Sequence, residues 1–155
     1  MDAATPAVRP KEFHFPLSVE WTGEQRVAAR VDGKAAIEIA SPPVFHGTDA
    51  SAWSPEDFFV AAAASCLAVT FAGLAQRAGV PFTRLLVDGD GVVGKRADGR
   101  FGFTRLQLRL EVETGASDET RARELAETAE RACLVSASLD LPVDTVIEVK
   151  RPATP

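Results

Sequence analysis

The sequence predicts an α+β protein in which antiparallel sheets wrap around one long buried central helix. Three observations carry this. Apolar residues alternate at a period of two in the first third of the chain and again over residues 101–113. From Pro55 an almost unbroken apolar run continues for roughly five helical turns. The element order is three strands, a long helix, two strands, a helix and a strand, with no internal repeat and no linker that marks a second domain.

Residues Phe13 to Trp21 read as the first strand, which Thr22-Gly23-Glu24 ends. A second run spans Gln25 to Val31, and Asp32-Gly33 is a two-residue hairpin signal before the alternating Ala35 to Ile39. A polar loop from Ser41 leads to a clear helix start. Ser54 is the predicted N-cap, Pro55 stands where its missing N–H costs nothing, and Asp57 reaches back toward the cap. The helix is expected to reach about Ala78, to be buried all round, and to stop at Gly79 and Pro81. Two strands follow, Arg84 to Val93 and Phe101 to Glu113, joined at Asp98-Gly99. On the second of these Leu106, Leu108, Leu110 and Val112 face one way, and Arg105, Gln107, Arg109 and Glu111 the other. Ser117 is the predicted cap of a helix running to about Cys133, a short turn covers Val135 to Leu139, and Val143 to Val149 closes the fold as a strand.

The 155 residues, 46% of them hydrophobic and 25% charged, suit a single domain over residues 13–150, with tails at 1–12 and 151–155. A core of this size buries roughly 70% of the unfolded surface, so the fold needs neither a disulfide nor a metal. The cysteines are left free for chemistry. A net charge of −5 without a basic cluster argues against a nucleic-acid partner. The Ala- and Pro-rich start resembles no signal peptide, and small polar residues interrupt the apolar helix, so the expected setting is cytoplasmic and away from membranes. Two His and two Cys without CxxC or HxxxH spacing point to no metal site, and no organic cofactor is implied.

Cys66 lies on the apolar helix, where a cysteine by itself reads as a small hydrophobe. Burial raises a thiol's pKa while the nucleophile is the thiolate, so a reactive Cys66 calls for a cation beside it. Cys133 changes the picture if both sulfurs share one site. Cys66 oxidised to a sulfenic acid is then captured by Cys133 as a disulfide. Arg26 and Arg30 are the candidate cations, because a guanidinium stays charged and grips a carboxylate. Glu56 suits the helix dipole and would orient such an arginine, but it lies about 15 Å along the helix axis from Cys66. One shared site would therefore need an arginine to span the gap, or a second subunit. His14 and His46 read as structural or exposed. Phe58, Phe59 and Phe71 would provide an apolar wall.

The segment from Trp53 through Pro55-Glu56 and Ala61-Ala62-Ala63-Ala64-Ser65-Cys66-Leu67, with Glu130-Arg131-Ala132-Cys133-Leu134-Val135-Ser136 far downstream, resembles the OsmC/Ohr family of osmotically inducible and organic hydroperoxide resistance proteins. The likeness runs from about Leu17 to Val149, and Trp21 to Arg26 looks like the OsmC-like branch. It implies an intertwined homodimer with central helices packed back to back and sites at the subunit interface. It also implies that Cys66 is the peroxidatic cysteine, Cys133 the resolving one, and Glu56 the acid that holds the arginine, for which Arg26 is the choice. The reading is a peroxidase that reduces organic hydroperoxides to alcohols and is reset by an external dithiol. The alternative is a non-catalytic protein that binds a small apolar or electrophilic ligand in the interface cleft.

Overall fold

The computed structural model describes residues 11–152, and the tail expectations for 1–10 and 153–155 lie outside these. The chain falls into two compact units that meet in sequence between Ser54 and Pro55.

The first unit is a three-stranded antiparallel meander of β1 (Ser18–Gly23), β2 (Arg26–Arg30) and β3 (Ile37–Ala40), in that order. Register places Val19 opposite Ala29, Trp21 opposite Val27, and Val27 opposite Ile39. One face is therefore apolar, since side chains alternate along each strand. Much of it is open: Val19 is 55% and Trp21 70% exposed. The structure corrects two expectations here. Phe13 to Leu17 are not strand, because β2 ends at Arg30 opposite Ser18 and leaves them no partner. Asp32-Gly33 is not a two-residue hairpin; Lys34 N–H closes a turn on Val31 C=O with Gly33 at φ 72°, inside a six-residue connection. Ala35 and Ala36, weak strand formers, stay outside the ladder. A single 3₁₀ turn over Pro43–Phe45 then leads to Trp53, whose carbonyl accepts from Ala40 N–H at 2.9 Å.

The second unit holds the core. Helix α1 (Pro55–Ala78) precedes β4 (Arg84–Lys95) and β5 (Phe101–Glu113), and α2 (Glu119–Ala132) and the one-turn α3 (Leu134–Ala137) precede β6 (Val143–Lys150). Strands order β4-β5-β6; β4 and β5 are antiparallel as expected, whereas β5 and β6 run parallel. The reason is the crossover: the chain returns through α2 and α3 before it enters β6, the connection that parallel pairing requires. Leu106, Leu108, Leu110 and Val112 face α1 and α2 and are buried. On the opposite face Glu111 is ringed by Arg84, Arg109 and Lys150, which explains its burial on a wet surface.

Ala63, Leu67, Phe71 and Ala75 recur every four residues on α1 and are buried against the sheet. Ala122, Ala126 and Ala129, four and then three residues apart, form the buried stripe of α2. Small side chains on both helices allow close packing. By length and composition α1 is apolar enough to cross a membrane, yet this stripe belongs to the core. The expectation that α1 is buried all round does not hold for one chain, in which Val69 is 67% exposed. The sheet of this unit covers one side of the helix and leaves Val69 on the other exposed. Ser117 does not cap α2. The N-cap is Asp118, already near-helical at φ −110° and ψ −4°, and Ser117 donates to its carboxylate at 3.0 Å.

Candidate functional site

Cys66 stands mid-helix on α1, and the α2–α3 junction carries Cys133 to it. Cys133 is the N-cap of α3, extended at φ −66° and ψ 107°, so α2 ends there and α3 starts afresh. Its side chain makes no cap bond. The first N–H groups of a helix have no partner within it, and those of Val135 and Leu134 stand close enough to the Cys66 sulfur to lower its pKa. The Cys133 and Thr70 side chains, the latter one helical turn beyond Cys66, also lower its pKa. Burial pushes the Cys66 thiol up, but these groups outweigh it and hold the pKa below its usual 9.0.

Cys133 is 1% exposed. Its sulfur lies 4.0 Å from the carbonyl of Ala63 and accepts a hydrogen bond from the Ser136 hydroxyl at 3.3 Å. Cys66 is only half-buried, and both cysteines are reduced. The two sulfurs share one site as an accessible member and a sheltered one.

The other predicted residues distribute as follows. Glu56 lies in the first turn of α1 and is half-buried, and its Oε2 is enclosed without a hydrogen-bond partner. An enclosed carboxylate oxygen left unpaired is costly, on the order of 1–3 kcal/mol or more. Arg26 is held by Asp49 and, at 3.0 Å, by Glu38. Asp49 is kept at about 2 by the Ser51 hydroxyl and N–H, with Arg26 adding to the effect. Arg30 approaches Glu20 at 3.8 Å. Phe59 stacks on Phe103 with centroids 4.0 Å apart and planes at 13°. Phe58 is half-buried. Phe71 is a correction: fully buried and edge-on to Phe82, it is a core residue and not the wall of an open site. His14 and His46 are exposed, the latter left-handed at φ 66°. Among the described residues no group of three or more His, Cys, Asp or Glu could hold a metal.

Sequence reasoning missed Thr70, Ser136, Phe103 and the N–H groups of Leu134 and Val135. Thr70 carries a legible signal, four residues after Cys66. The N–H groups carry none, because they depend on where α3 starts in space.

The chain is 23% identical over 141 residues to the uncharacterized protein YmaD of Bacillus subtilis (strain 168), covering 88% of this chain and 93% of that one. Its fold is similar to that of an OsmC-like protein of unknown function from Vibrio cholerae, with a TM-score of 0.78 and 21% identity over 88% of this chain and 99% of that one. It is also similar to an organic hydroperoxide resistance protein from Elizabethkingia anophelis, with a TM-score of 0.71 and 18% identity over 92% and 99%. The family model described as OsmC-like protein matches residues 47–148, which include both cysteines and Glu56, and the chain belongs to that family.

Proposed function

We propose that the protein is a thiol peroxidase that reduces organic hydroperoxides in the cytoplasm, with Cys66 as the peroxidatic and Cys133 as the resolving cysteine. One observation carries the reading: Cys133 stands close enough to Cys66 to be among the groups that lower its pKa. Cys66 thiolate attacks the distal peroxide oxygen, the alcohol leaves, and Cys133 converts the resulting sulfenic acid to a disulfide with loss of water. An external dithiol returns both thiols. Phe59 and Phe103 lie two helical turns from Cys66 along α1 and offer hydrocarbon contact, at about 0.8 kcal/mol per buried CH₂. This favours alkyl over hydrogen peroxide.

The working form in this reading is a homodimer. Two open apolar surfaces support it, the Val69 face of α1 and the Val19–Trp21 face of the first sheet. The unpaired Oε2 of Glu56 supports a guanidinium delivered on assembly, and Arg26 is our candidate. The test is a thiol count after one equivalent of cumene hydroperoxide. Loss of two thiols per chain, with Cys66→Ser inert, is expected. Unchanged thiols would favour a protein that only binds its ligand.

A further inference from the structure

The geometry points to Ser136 as the positioning residue that serves Cys133 when its sulfur is negative, both as it closes the disulfide and as it leaves during reset. This rests on the peroxidase reading and goes beyond it, since it fixes which sulfur the reductant must attack. Cys133 is almost fully enclosed, and on its flanks lie the Ala63 carbonyl at 4.0 Å and the Ser136 hydroxyl at 3.3 Å. A carbonyl oxygen repels a thiolate. Among the described residues the Ser136 hydroxyl is the donor pointed at the Cys133 sulfur, and it sits on the same turn of α3 that Cys133 begins.

In disulfide formation the Cys133 sulfur attacks the sulfenic sulfur of Cys66, the S–S bond forms and the S–O bond breaks. The thiol proton of Cys133 leaves with the hydroxyl as water. In reset, a thiolate must approach a disulfide in line with the bond it breaks. Approach to Cys133 from the side away from Cys66 is closed by its own burial, whereas Cys66 is half-open. The external dithiol therefore bonds to Cys66, and the electron pair of the broken S–S bond goes to Cys133. Ser136 donates to that leaving thiolate. The second thiol of the reductant then displaces Cys66, which yields the oxidised reductant and two protein thiols.

Two experiments test this. In a single turnover with cumene hydroperoxide and dimedone present, Ser136→Ala should divert Cys66 sulfenic acid to the dimedone adduct about tenfold more than wild type, the size of a lost hydrogen bond to a charged group. Ser136→Thr, which keeps the hydroxyl, should restore the wild-type partition. In the second, the disulfide is made with diamide, so the result does not depend on peroxide being the substrate. Reduction by dithiothreitol should slow about tenfold in Ser136→Ala and recover in Ser136→Thr, and a trapped mixed disulfide with 2-mercaptoethanol should map to Cys66. Wild-type behaviour of Ser136→Ala in both arms, a defect that threonine does not rescue, or a mixed disulfide on Cys133 would each overturn the assignment. If wild type forms no disulfide with peroxide yet the diamide arm behaves as stated, the peroxidase reading fails and the role of Ser136 stands.

Discussion

At the scale of the residue, Cys66 is governed by where N–H groups end up. Its position was legible, because a cysteine ten residues after Pro-Glu on an alanine-rich helix is a readable pattern. The source of its acidity was not, since donors from Leu134 and Val135 arrive from nearly seventy residues away and have no side-chain signature. The lowered pKa sets the sign of the pH dependence: thiolate persists to lower pH than in a free thiol. Iodoacetamide should therefore label Cys66 in the folded protein with a midpoint below 9.0, and in urea with an ordinary one. Stability follows the same sign. The unfolded chain binds more thiol protons between the two midpoints, so this contribution grows as pH rises through that window and is absent below it. Leu134→Pro isolates one donor. Proline is tolerated at the first helical position and Cys133 before it is already extended, so α3 should persist without that N–H. Labelling of Cys66 at neutral pH should slow roughly two- to tenfold, and an unchanged rate would remove Leu134 from the account.

At the scale of the element, strands and helices with a strong local signal lie where expected. β5 spans its predicted residues and α1 runs from Pro55 to Ala78. The misreadings share one cause, that pairing is decided by the partner: Phe13 to Leu17 had the pattern of a strand but no neighbour, and β6 became parallel through its crossover. Close approach of α1 to β4 rests on glycine. A methyl group at Gly91 would stand 2.6 Å from the Phe103 ring and 2.7 Å from Val60. Gly91→Ala should thus destabilise the fold by about 1–3 kcal/mol and push Phe103 off Phe59, visible as a lower thermal midpoint and weaker discrimination among peroxides. Leu67→Ala, at a fully buried position of α1, should cost about 2–5 kcal/mol. A loss below 1 kcal/mol in a chemical melt would contradict the packing described for this stripe.

At the scale of the whole molecule, one chain leaves apolar surface open on α1 and on the first sheet, and a carboxylate oxygen unpaired at Glu56. The near-uniform apolarity of α1 was legible, but it could not say which molecule covers the second face. Light scattering should give twice the 16.5 kDa chain mass, and Val69→Glu should shift it to one chain while the circular dichroism stays folded. A wild-type monomer at micromolar concentration would remove the homodimer, and with it the source proposed for the partner of Glu56. The central claim is that the two sulfurs act as a redox pair. It is tested most directly by mass spectrometry of the protein treated with one equivalent of cumene hydroperoxide. We predict one intramolecular Cys66–Cys133 disulfide per chain, and recovery of both free thiols under a peroxide that never oxidises them would contradict the account.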